Sequence, residues 1–289
     1  MNLQQFGNIE TEQGLAGAML CMDRDRPAEA MIHWFAEGMA SRALLCDLEW
    51  RGDILNVTPS VLYHTTEGGA LYCPRSLNDE ERIAVRTTRG RLHNSNGGLE
   101  GEWTNEAGKS GHIKFAPLPT SSARLLALNA AQCATWEEFK AWSYSIRSKS
   151  EGVWFRGHGC RSLPLMTSLH RFARTRLERY CSTELAQFTA HAEAVLNTHL
   201  DLNDAHHYAV VLGLARHHGL PTPMTDWTMS PYVAAFFAFS DVLETSRPPD
   251  STHVRIFALS GKFVARMSPS TVVVPYVRPY FAAMSISLA

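Results

Sequence analysis

Apolar and polar positions follow two regimes along this chain. From Ala43 to Phe115 short apolar runs (Ala43–Trp50, Ile54–Thr66, Gly69–Cys73, Arg82–Thr88) are broken by turn signals at Gly68-Gly69, Asn96-Gly97-Gly98 and Ala107-Gly108. That is a strand-rich pattern. Leu99, Gly101 and Trp103 alternate before the Asn105–Gly111 turn, and Ile113 and Phe115 alternate after it, which predicts a hairpin with Trp103 in the core. Before this segment, Ala30, Met31, Trp34 and Phe35 are spaced like one face of a helix over Ala28–Met39, with Pro27 in its first turn.

Past Phe115 the pattern turns helical. Pro117, Pro119 and Ser121-Ser122 read as a linker, and Thr135-x-x-Glu138 as a capping box opening a helix with Phe139 and Trp142 on its buried face. A short strand follows at 153–156. A long helix is expected over Glu178–Leu200, with Leu185, Phe188, Ala192 and Val195 inward, and another over Ala205–His218, stopped by Gly219 with Pro221 beyond. Ser230-Pro231 opens a third. Its residues Tyr232–Phe239 are apolar all round, the mark of a buried helix. His253–Leu259 and Val272–Val274 read as strands. The fold class is therefore α+β: a small antiparallel β domain over residues 1–118, then a mixed α/β domain over 123–289 that folds on its own.

Composition narrows the function classes. Of 289 residues, 45% are hydrophobic and 19% charged, enough to bury a core. The net charge of -1 gives no global attraction to nucleic acid or an anionic membrane. A local basic region runs through Arg161, Arg171, Arg174, Arg176 and Arg179. The six cysteines form no CxxC pair and no Cys/His zinc spacing. They read as reduced thiols, and the polar N-terminus carries no signal peptide, so the expected compartment is the cytoplasm. No stretch is long and apolar enough for a membrane span.

Candidate chemistry concentrates in two patches. One is Trp154-Phe155-Arg156-Gly157-His158, a charge at the end of an apolar strand, which needs a partner. The other runs from Arg216 to Thr228, where Arg216, His217, His218, Thr222, Thr225, Asp226 and Thr228 precede the apolar helix. Arg156 beside Gly157 could grip a phosphate by two parallel bonds or pair with Asp226. His158 or His217 could supply a polar contact or a proton; His217 and His218 could equally cap a helix end. Asp226 could orient Arg156 or a ribose, or only fix a turn. Trp227 could stack on a ring or fill core. Thr228 could bond ligand hydroxyls. No metal site, Gly-rich phosphate loop or Ser-His-Asp order is present.

These two patches resemble the FRG domain, named for Phe-Arg-Gly, here Phe155-Arg156-Gly157. Ser168-Leu169-His170-Arg171 matches the family's Ser-Leu-x-Arg, and Glu184 and Phe188 match its next helix. The strongest block is His217-His218-Gly219-Leu220-Pro221-Thr222, followed by Asp226-Trp227-Thr228 and Ser230-Pro231. Arg216 and Pro223 depart from the pattern. The chain also stops at Ala289 without the family's Gln-x-Gly-x-Phe segment, so the end is read as truncated or diverged.

The motif order is similar, at a distance, to ADP-ribosyltransferases, a fold-level analogy. It implies an NAD-dependent ADP-ribosyltransferase-like effector, a toxin or phage-defence component, with NAD as substrate. In that reading Arg156 and Gly157 hold the phosphates, Asp226, Trp227 and Thr228 the ribose and base, and His158 and His217 serve the reaction. Its partners would be a protein or nucleic-acid target and an antitoxin or partner protein, with no membrane. No catalytic acid is identifiable. The alternative is a non-catalytic nucleotide- or partner-binding module, or a degraded copy.

Overall fold

The computed structural model describes residues 3–12, 14–35, 42–65, 71–117, 131–160, 165–244 and 253–261. The chain groups into two compact units. Met1–Leu118 and Thr167–Pro223 belong to the first, Pro119–Met166 and Met224–Met267 to the second.

The first unit is built on an antiparallel β barrel. Strands β1 (Gln4–Thr11), β2 (Gly14–Asp23), β3 (Arg26–Phe35), β4 (Arg42–Arg51), β5 (Ile54–Thr65), β6 (Leu71–Tyr72), β7 (Arg89–Ser95), β8 (Gly98–Thr104) and β9 (Ser110–Pro117) form one sheet in the order β4-β3-β2-β1-β9-β8-β7-β5-β6. A further pairing of β4 with β5 closes it. Eight strands thus make the ring and β6 lies outside it. Asn96 and Gly97 both take positive φ, 51° and 81°, between paired Ser95 and Gly98. That is the two-residue hairpin turn that Asn-Gly favours. The expected hairpin forms, with Leu99 opposite Phe115 and Gly101 opposite Ile113. Ala18, Leu20, Ile32, Leu55, Leu92, Leu99 and Phe115 fill the interior.

Two expectations fail here. Ala28–Met39 is not a helix: its described part is β3. Ala30 and Ile32 point into the barrel core, while Met31 joins a second cluster outside it with Cys21 and Ala43. A strand buried on both faces loses the alternation that identifies strands, so its apolar run imitates a helix face. Pro27 falls in the irregular stretch between Asp23↔Arg26 and Cys21↔Met31, where no ladder donor is needed. Conversely, Arg82–Thr87 is no strand but part of helix α1 (Asp79–Thr87). Asn78 accepts from Glu81 N, and the Glu81 side chain accepts from Asn78 N, a full capping box.

Helices complete this unit: α3 (Ser168–Arg171), α4 (Leu177–Arg179) running through a π turn (Tyr180–Leu185) into α5 (Ala186–Leu196), and α6 (Ala205–His217). The expected long helix is thus present but ends at Leu196, with Asn197 left-handed. Val195 is exposed, not inward. At the end of α6, Gly219 has φ 80°, and Leu220 N donates to Ala215 O at 2.9 Å, the expected glycine stop.

An ionic staple ties these helices to the barrel. Asp23, fully buried, accepts from Thr175 N at 2.7 Å, Arg176 N at 3.1 Å and Arg179 NH1 at 2.6 Å. Arg176, itself buried, pairs with Glu29 of β3 and with Glu178. Burial opposes its charge, but the two carboxylates outweigh burial and hold its pKa above the ordinary value. Asp25 is drawn down to about 2, chiefly by its hydrogen bond from Arg179.

The second unit holds α2 (Trp136–Lys149), β10 (Val153–His158), α7 (Pro231–Glu244) and β11 (Arg255–Ser260). Thr135 and Glu138 form the expected capping box at the start of α2, and β10 and β11 pair antiparallel. Helix α7 starts at Pro231 with Ser230 Oγ accepting from Val233 N. It is not buried all round: Pro231, Ala234, Ala235 and Ala238 face inward, while Phe236, Phe237 and Phe239 are more than half exposed. A two-stranded sheet offers one face, and the small side chains are the ones that let the helix approach it. The expected strand Val272–Val274 and most of the Pro117–Ser122 stretch lie outside the described residues.

Candidate functional site

Strand β10 sorts its side chains onto two faces. Val153 and Phe155 turn into a cluster with Ala234, flanked by Trp142, Ile146 and Ile256. Gly157 shares that face because nothing larger fits: a Cβ there would stand 1.9 Å from Ala234 O and 2.9 Å from Ala238 Cβ. The glycine of the signature is thus required by strand–helix contact.

Arg156 and His158, two residues apart, share the other face. Arg156 Nε donates to His158 Nε2 at 3.1 Å. Nε2 is therefore an acceptor, and the neutral ring carries its proton on Nδ1. His158 is buried, edge-on to Phe257 with centroids 5.1 Å apart.

The Asp226–Thr228 run lies along β10. Phe155 N donates to Thr228 O at 2.6 Å and Thr228 N to Phe155 O at 2.9 Å. This bridge delivers the Asp226 carbonyl to Arg156 NH1 at 2.7 Å and the Asp226 carboxylate to the same nitrogen at 3.8 Å. The Arg156 side chain is 13% exposed and that of Asp226 61%. At that distance and exposure the ion pair is weak, so the carbonyl bond fixes the guanidinium. Thr228 Oγ1 accepts from Ser230 N at 3.1 Å, turning the chain into α7. Trp227 Nε1 donates to Thr225 Oγ1 at 2.8 Å, holding the indole.

These residues enclose a cavity of about 280 Å³, with Arg156, Gly157, Asp226, Trp227 and Thr228 around it and Phe155, Ala234 and Phe237 as its apolar wall. Five candidates read from sequence thus meet at one cavity, and His158 stands behind Arg156. Phe237 is an addition that the apolar run concealed. His217 belongs to the first unit, exposed at the last position of α6. There His218 packs near Phe188, ring centroids 6.2 Å apart.

Other parts of the signature bond to one another. Ser168 Oγ accepts from Thr222 N at 2.9 Å and donates to Thr222 O at 3.2 Å, while Leu169 N also donates to Thr222 O. Arg216 NH1 reaches Ser168 Oγ at 3.4 Å. Glu184 pairs with Arg174.

The FRG family model matches residues 151–247. An FRG domain is present there. It takes in the Phe155-Arg156-Gly157 strand end, the Ser168–Thr222 clamp and all of α7. Among curated proteins and among solved structures, nothing matches the chain. Among the described residues no group of three or more His, Cys, Asp or Glu is placed to hold a metal ion. No described helix is long and apolar enough to cross a membrane, and none of the six cysteines is in a disulfide.

Proposed function

We propose that the FRG cavity binds a nucleotide, and that in its catalytic form the protein is an NAD-dependent ADP-ribosyltransferase-like effector. The observation that carries this is the convergence of a mostly buried guanidinium, an exposed carboxylate, an indole and a threonine on one cavity. A guanidinium favours phosphate, an indole edge or face a base ring, and a nearby carboxylate a ribose hydroxyl or the positive charge that develops on its anomeric carbon. About 280 Å³ is at or below the small end of ligand pockets, so in this proposal the cavity takes one nucleoside phosphate half of NAD and the other half extends out of it. His158 acts in this proposal as a positioning residue for Arg156.

The second reading is a non-catalytic binding module, favoured by the bond from Arg156 to the Asp226 carbonyl at 2.7 Å, which already engages the guanidinium within the protein. Titration with NAD, ADP-ribose and AMP, together with release of nicotinamide, separates the two. Nucleotide binding with nicotinamide release that Asp226→Asn abolishes supports the transferase. Binding without release supports the module. No binding by any of the three overturns the transferase and the nucleotide-binding module, and leaves the partner-binding module. A fold activity in a toxin or defence setting would further require a target, and labelled NAD incubated with cell extract would reveal label on protein or nucleic acid.

A further inference from the structure

The barrel holds a cavity of its own, lined by none of the residues that line the FRG cavity. It measures about 460 Å³, inside the range of roughly 300–1,000 Å³ typical of small-molecule sites. Strand order explains where it lies. The core side chains Ala18, Leu20, Leu55, Leu92, Leu99 and Phe115 fill the barrel toward one end. Toward the other, Ile9, Trp34, Leu44, Leu62, Trp103 and Ile113 line the open space, with Ile9, Leu44 and Trp103 packed at its edge against the core that includes Ile113. An eight-stranded barrel is just wide enough to be filled by side chains or to hold one small ligand. Protein interiors keep few voids larger than a water molecule, and apolar walls give water few partners.

Helix α1 forms part of the wall, with Ile83, Ala84 and Val85 lining the cavity. Polar bonds hold it there. Glu81, buried, lies 3.4 Å from Arg42 NH1 and 3.2 Å from His64 Nε2, and Glu80 bonds Lys109 Nζ at 2.6 Å. Lys109 also meets Glu12 at 2.9 Å. The two cations at this rim are thus matched by three carboxylates. A ligand carboxylate or phosphate would have to displace one of them, while a neutral molecule disturbs none.

We propose that the barrel is a binding site for one uncharged, hydrocarbon-rich small molecule, such as a chain of about a dozen carbons or a few fused rings bearing a hydroxyl or carbonyl. The test uses the full chain and the neutral fluorophore aminoanthracene. Saturable one-to-one binding is expected, with energy transfer from Trp34 and Trp103. Dodecanol should displace the fluorophore, and dodecanoate should do so about ten-fold less well or worse, because its carboxylate meets like charge. Ala84→Trp should fill the cavity and abolish binding with the circular dichroism of the wild type retained. Should that variant not fold, Trp34→Phe with Trp103→Phe decides, because energy transfer must fall although five tryptophans remain. Absent or non-saturable binding overturns the proposal. So does binding unchanged by Ala84→Trp, which would place the fluorophore on other exposed apolar surface. Dodecanoate competing as well as dodecanol overturns the uncharged class.

Discussion

Arg156 shows how a single residue can be read correctly as unusual without its role being legible. A charge after Trp and Phe had to be paired, and in the fold it bonds both His158 and the Asp226 carbonyl. Replacing it tests which matters. Arg156→Lys keeps the charge but loses the fork, so nucleotide binding should weaken by about 1.5–3 kcal/mol, as expected for charge-assisted bonds. Titration calorimetry beside a melting curve reads this; a lower melting temperature with unchanged affinity would assign Arg156 to architecture alone.

A second residue governs pH. His33 is buried on β3, and burial depresses its pKa to about 4 from the usual 6.5. The unfolded chain therefore takes up a proton that the folded state refuses. Stability from this group is full above about pH 6.5 and is lost as pH falls toward 4. His170, also depressed by burial, adds to the same slope. His33→Leu should flatten, though not abolish, the fall of denaturation midpoint between those pH values. An unchanged slope would mean that His33 is not buried neutral.

At the scale of elements, the β10–α7 contact decides whether the FRG cavity exists. Gly157→Ala puts a methyl group against the Ala234 carbonyl. Overpacking of this kind should cost about 1–3 kcal/mol and push the helix off the strand. Chemical denaturation measures the cost, and loss of nucleotide binding in the folded fraction shows that the cavity moved. Wild-type stability would show that the helix yields easily. Local signals fixed many elements here. The Thr135–Glu138 box, the Asn96-Gly97 turn, Gly219 and Ser230-Pro231 each act within a few residues, and all behave as read. The helix read at Ala28–Met39 fails for the opposite reason. Double-sided burial of β3 is a property of what packs on it. For α1 the decisive signal was local after all: Asn78-x-x-Glu81 was available and outweighs the short apolar run that follows it.

At the scale of the molecule, the Asp23 and Arg176 staple makes residues 167–223 depend on the barrel. Residues 123–289 alone would lose Asp23 and Glu29. That leaves two backbone amides and a buried guanidinium short of their partners, a loss of about 3–5 kcal/mol for a broken buried pair. We expect that fragment to be insoluble or to unfold without cooperativity, as urea titration followed by fluorescence would show. In the intact chain, Asp23→Asn should be among the most destabilising single changes. A fragment with a sharp transition would show that the helices find their own core.

What the sequence by itself determined is local and chemical. It placed a strand-rich first part before a helical second part, marked caps and turns, and singled out Arg156, Gly157, His158, His217, Asp226, Trp227 and Thr228 as one group, of which five line the cavity and the two histidines do not, because turn geometry and uncompensated polarity are written in neighbouring residues. Tertiary structure alone decided that β4 pairs with β5 to close the barrel, and that space remains inside it. It decided that Gly157 serves helix packing, that the large residues of α7 face outward, and that Asp23 is buried beneath Arg179. Each depends on which distant surfaces meet, and pairing across 70 or 156 positions, as for Arg156 with Asp226 and Asp23 with Arg179, leaves no periodic trace in the chain.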